Sequence, residues 1–205
     1  MNRRRWMRVL AAAAISFAVT GTARAQDASA ADKEKALALL ESSKKGVLDA
    51  TKGLSEAQWN FKPAPDKWSI AECMEHIAAA EDFIRGTVEQ NVMKAPAAPD
   101  RDIAKIDAGI VANVPDRSAK FQAPEPLKPT NRFGSPEAAI KHFVESRAKT
   151  EEFLKTTADL RGHAVDSPVG GKWVAYQFIL MIAAHSQRHT KQIEEVKSST
   201  GYPAK

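Results

Sequence analysis

Apolar residues recur every three or four positions along four long stretches of this chain, and glycine and proline collect between them. That period belongs to helices with one buried face, so an all-α fold is indicated before any single residue is considered. Residues 33–52 form the first stretch, with Leu37, Leu40, Val47 and Leu48 on its stripe. Ser69-Ile-Ala-Glu72 reads as a capping box that opens a second helix running to about Asn91, with Ile70, Cys73, Ile77, Ala80, Ile84 and Val88 facing inward. Ser135 followed by Pro136 is an N-cap and a first-turn proline, opening a third helix to about Thr157. Its stripe is Ile140, Phe143, Val144, Arg147, Glu151 and Leu154, so two charged residues stand on an apolar face. The fourth runs from about Lys172 to Lys197 behind Ala175, Phe178, Ile182, His189, Ile193 and Val196.

No strand pattern accompanies these segments, which predicts a four-helix bundle. The connector 54–65 brings Trp59 and Phe61 to close one end of the core. Residues 92–134 are proline-rich, with a short helix expected over Asp102–Val111, and read as one long crossover between the second and third helices.

Residues 1–25 stand apart from this pattern. Asn2-Arg3-Arg4-Arg5-Trp6-Met7-Arg8 is a cationic start, Val9 to Val19 is an apolar stretch, and Ala23-Arg24-Ala25 is a small-residue cleavage site. The apolar stretch is too short for a stable membrane span. Cleavage after Ala25 and export to the periplasm or medium are expected, and the paired arginines also suit the twin-arginine route. The precursor has 30 basic and 25 acidic residues; losing the five arginines of its leader leaves 25 of each and no net charge over residues 26–205. A neutral chain gives no electrostatic case for nucleic-acid binding. At 180 residues, 26–205 forms one domain of ordinary size. Cys73 is its single cysteine and has no partner for an internal disulfide.

His185 and His189 carry the chemistry. Four residues apart on a helix, they stack on one face within reach of a single cation. Five histidines make such a spacing easy to obtain by chance, so its placement on a core face is what counts. A buried imidazole needs partners for both ring nitrogens, and either hydrogen bonds or a metal would meet that need. His76 is the only other histidine on the inner half of a predicted helix, and three ligands from two helices would leave an open coordination position. His142 should point outward and His163 lies in a loop. No Glu-x-x-His occurs, as a di-iron bundle would need, and Ser186 follows His185 where a zincin would place its glutamate.

Trp68-Ser69-Ile70-Ala71-Glu72-Cys-Met-Glu75-His76-Ile77 and Ala184-His185-Ser-Gln-Arg188-His189-Thr190-Lys-Gln192-Ile193 together resemble the DinB-like family of bacterial four-helix bundles. The resemblance extends through Arg117, Ala123-Pro124-Glu125, Pro129-Thr130, Arg147, Asp159-Leu160-Arg161 and Gly170-Gly171. It implies that His76, His185 and His189 form a three-histidine site for a divalent metal such as zinc or nickel. It also implies kinship with thiol-dependent transferases and isomerases, although export would remove the chain from the cytoplasmic pool of reduced thiols.

The expectation is therefore a metal-dependent hydrolase or transferase acting on a small molecule, with a non-catalytic metal- or ligand-binding protein as the alternative. Arg147 is expected either to pair with Glu151 one turn along its helix or to face a cleft as an anion anchor. Cys73 fits its stripe as a small apolar residue. A homodimer is an allowed assembly.

Overall fold

A computed structural model describes residues 27–204. The proposed leader, residues 1–25, lies outside the described residues. The four long helices are present, with further short elements between them. They are α1 (Ala30–Thr51), α3 (Ile70–Gln90), α5 (Pro136–Thr156) and α6 (Ala175–Lys197). Short helices α2 (Glu56–Asn60) and α4 (Ile103–Asn113) lie in the connections.

The helices start where the chain supplies caps. Ser29, Ser55 and Ser69 each accept a bond from the third helical amide, while the cap backbone N–H donates in turn to the side chain of Asp32, Gln58 or Glu72. Ser135 caps α5 ahead of Pro136, and Asp102 caps α4. Each cap satisfies helix-end donors that would otherwise lack partners.

The start of α6 departs from expectation. Lys172–Val174 is extended and pairs antiparallel with Ala164–Asp166, so a two-stranded ribbon, β1 (Ala164–Asp166) and β2 (Lys172–Val174), precedes the helix. Gly170 and Gly171, at φ 93° and 73°, supply the left-handed turn that folds the ribbon back. Strands of three residues are too short to show an alternating pattern.

In the bundle, α1 packs on α5 and α6, and α3 packs on the same two helices. Residues 91–135 join α3 to α5 and carry α4 onto α6. The apolar core falls into two main clusters. One gathers Leu40, Val88, Ile110, Leu154, Tyr176 and Ile179, and the other Val47, Ile70, Ile77, Phe143, Ile193 and Val196. Between them on every long helix sits buried polar matter: Ser43 on α1, Glu81 on α3, Arg147 and Thr150 on α5, Ser186 on α6. Val144, expected inside, is 38% exposed, because α5 gives its inner face to Phe143 and Arg147. No helix among the described residues is long and apolar enough to cross a membrane.

Candidate metal centre

Helix α3 delivers His76, and α6 delivers His185 and His189. His76 and His189 are buried, and His185 is half-buried. One ligand atom from each lies within 4.8 Å of the others, a group able to hold a metal ion.

The hydrogen bonds fix which nitrogens are available. Nδ1 of His76 is 2.8 Å from the carbonyl of Leu127, which only accepts, so Nδ1 carries the proton and Nε2 a lone pair. Nδ1 of His189 is 2.8 Å from Oε1 of Gln192. Arg117 Nη1 donates to that same atom at 3.3 Å, which marks it as the amide oxygen, so His189 also presents an Nε2 lone pair.

Both lone pairs converge on Nε2 of His185, at 3.1 Å from each. One proton there could serve one neighbour and would leave the other unmatched; without it, three lone pairs face one another. A cation resolves the conflict. Tetrahedral zinc with nitrogen ligands at about 2.0–2.1 Å sets those nitrogens ~3.3 Å apart, close to the spacing found here. The residues thus fit a divalent ion.

Electrostatics keeps the rings neutral, as ligation requires. Burial pushes His76 below the ordinary histidine range, with Arg132 adding to the effect. Burial, then the neighbouring His76 and Arg188, holds His185 well below it; burial, then His185 and His76, does the same for His189.

The surroundings hold these rings in place. Glu75, next to His76, accepts bonds from the backbone amides of Thr130 at 2.6 Å, Asn131 at 2.8 Å and Arg132 at 3.3 Å. Arg132 Nε adds a bond at 3.1 Å, and these contacts hold the Glu75 carboxyl below its usual range despite the opposing effect of burial. Arg117 grips Glu195 through two bonds, 2.6 and 2.7 Å. Trp68 packs its ring 4.9 Å from that of His76 and 6.2 Å from that of His189. Trp68 also borders an open pocket of about 270 Å³ whose lining includes Lys62, Asp66, Lys67, Glu72, Gln122 and Lys128.

Other expected residues lie elsewhere. Arg147 is 0% exposed and pairs with Glu81 of α3, whereas Glu151 turns to Lys44 at 3.3 Å. The guanidinium is wholly enclosed and its donors are spent on protein acceptors, so the anion-anchor expectation for Arg147 is corrected: among the described residues no cleft reaches it. His142 meets Asp82 at 2.5 Å, and His163 meets the carbonyl of Ala95 at 2.6 Å. Cys73 is buried outside the histidine group, its thiol pushed up by burial. Sequence reasoning missed Gln192 as a histidine partner, although its i+3 spacing from His189 was visible. The carbonyl of Leu127 offered no signal at all.

A helical bundle presenting three imidazole nitrogens from two helices defines a class of candidate metalloprotein. The chain belongs to the DinB superfamily, whose family model matches residues 39–193. It is 27% identical over 150 residues to the uncharacterized protein YuaE of Bacillus subtilis (strain 168), covering 71% of this chain and 87% of that protein. Its fold is similar to that of YfiT from Bacillus subtilis, a probable metal-dependent hydrolase with an unusual four-helix bundle topology. The TM-score is 0.55 at 14% identity, covering 85% of this chain and 91% of YfiT.

Proposed function

We propose that this chain is an exported metal-dependent hydrolase acting on a small molecule, with His76, His185 and His189 holding one divalent cation, zinc or nickel. The observation that carries this reading is the surplus of lone pairs at Nε2 of His185. A cation bound there would act as a Lewis acid, polarising a substrate oxygen and lowering the pKa of a water.

The chain's own residues set the conditions for that chemistry. Leu127 and Gln192 hold the two outer rings by their Nδ1 protons, which fixes tautomer and orientation. Among the described residues the group contains no fourth histidine, cysteine or carboxylate, which favours an open position over a closed structural site. Glu75 and Glu72 are committed elsewhere, Glu75 to the 130–132 backbone and Glu72 to Ser69 and Lys62, so neither is free to act as a base. The pocket beside Trp68 is sized for a small molecule, but its lysines are already paired, Lys62 with Glu72, Lys67 with Asp66 and Lys128 with Glu125, so its charge marks no substrate class.

The test is elemental analysis of protein purified without an affinity tag, beside the His185→Ala/His189→Ala variant. About one equivalent of metal in the first and background in the second is expected. Equal metal in both would overturn the reading. Export is checked separately by N-terminal sequencing of the extracytoplasmic fraction, where a chain beginning at Gln26 is expected and an unprocessed cytoplasmic chain would refute it.

A further inference from the structure

The polar layer that divides the core contains a guanidinium whose every N–H is used. Arg147 Nε donates to Glu81 Oε1 at 2.7 Å. Nη1 donates to the Leu40 carbonyl at 2.5 Å and to Ser43 Oγ at 2.9 Å, and Nη2 to Glu81 Oε2 at 2.8 Å and Ser186 Oγ at 2.9 Å. Arg147 stands on α5, and its partners lie on α1, α3 and α6, so one side chain ties all four long helices. Thr150 adds a bond to Glu81 Oε1 at 3.0 Å.

Stability gives little reason to retain such a pair, since apolar residues of similar volume commonly replace a buried ion pair without loss. What apolar contacts do not supply is direction. A slip of α6 along α3 by a single residue is a rise of about 1.5 Å, which apolar packing resists only through shape. A ligand set needs its atoms held within ~0.5 Å. Nη2 of Arg147 bonds both helices that carry the histidines: Glu81 shares α3 with His76, and Ser186 is the residue after His185.

We propose that Arg147, with Glu81 and Ser186, is the positioning element of the histidine centre, fixing the level of α6 against α3 so that the three Nε2 atoms meet. This rests on the metal-centre reading above.

The experiment compares tag-free wild type, Arg147→Met/Glu81→Met, Ser186→Ala, Ser186→Thr and His185→Ala/His189→Ala. Zinc and nickel affinities are read by chelator competition, the absorption spectrum with cobalt(II), and the melting temperature. The Met/Met protein should stay folded and melt close to wild type, because apolar residues commonly replace a buried ion pair without loss, Ser43 can still donate to the Leu40 carbonyl and Thr150 to that of Ser146, and only the Ser186 hydroxyl loses its partner. Its metal affinity should fall about tenfold or more, as when partners that orient ligands are lost, and its cobalt spectrum should change. Ser186→Ala removes only the tie to α6; it should lose affinity several-fold, and Ser186→Thr should restore it. Wild-type affinity and spectrum in a folded Met/Met protein, or in Ser186→Ala, overturn the inference alone. Wild type that binds no more metal than His185→Ala/His189→Ala overturns the metal reading and this inference with it.

Discussion

Two polar clusters meet on α6 at adjacent residues, Ser186 in one and His185 in the other, and they differ in how their hydrogen bonds close. Around Arg147 the count balances: its five donors face a carboxylate, a carbonyl and two hydroxyls, all within the protein. Around His185 it does not, because two imidazole lone pairs point at a nitrogen that can carry one proton at most. A closed count describes a structural joint, and an open one a place where something from outside the chain belongs. Burial alone would not separate them, since both clusters lie mostly out of water.

Breaking each cluster should therefore leave a distinct signature. The largest effect is expected from His185→Ala/His189→Ala, which should lose essentially all bound metal while remaining helical by circular dichroism. Arg147→Met alone should act first on stability, beside the weaker metal binding expected of a positioning residue. It leaves Glu81 as an uncompensated buried charge, and a loss of about 3–5 kcal/mol in urea denaturation is expected; a loss below ~1 kcal/mol would show that the joint is not closed as described.

Gln192→Leu sharpens the comparison further. It removes the acceptor that holds the Nδ1 proton of His189, and metal affinity should fall about 10–100-fold with stability little changed. An unaltered affinity would mean that His189 is oriented by something else.

Acid provides the mildest test. The three imidazoles sit below their ordinary range in the fold, so below about pH 6.5 the unfolded chain takes up protons that the folded chain refuses. Their contribution to stability is therefore complete above about pH 6.5 and is lost as pH falls below it. Urea midpoints of metal-free protein should drop on acidification by more than those of His185→Ala/His189→Ala. Parallel curves would count against neutral buried imidazoles.

How much of this could be read from the sequence depends on the range of the interaction. Helices α3 and α5 were legible because Ser69, Glu72, Ser135 and Pro136 act within one turn of the chain. The histidine pair was legible for the same reason, being a contact along one helix. Arg147 was not. Glu151 one turn away and Glu81 on another helix are chemically identical partners, and only packing decides between them. The ribbon before α6 escaped because its pairing joins strands of three residues across a glycine turn. The Leu127 carbonyl was invisible in principle, since every residue but its side chain offers the same backbone oxygen.

That last point has a consequence for how the segment 127–132 can vary. Its ties to α3 run through the carbonyl of Leu127 and the amides of Thr130, Asn131 and Arg132, held by the adjoining Glu75 and His76. The Arg132 guanidinium reinforces them on Glu75 and on the carbonyls of Pro126 and Lys128, and Asn131 sits at φ 62°, so those two positions are restricted in side chain; adding or deleting one residue would move the carbonyl off His76 while the amides stayed on Glu75. The segment is thereby bound in its length, and in its composition at Asn131 and Arg132.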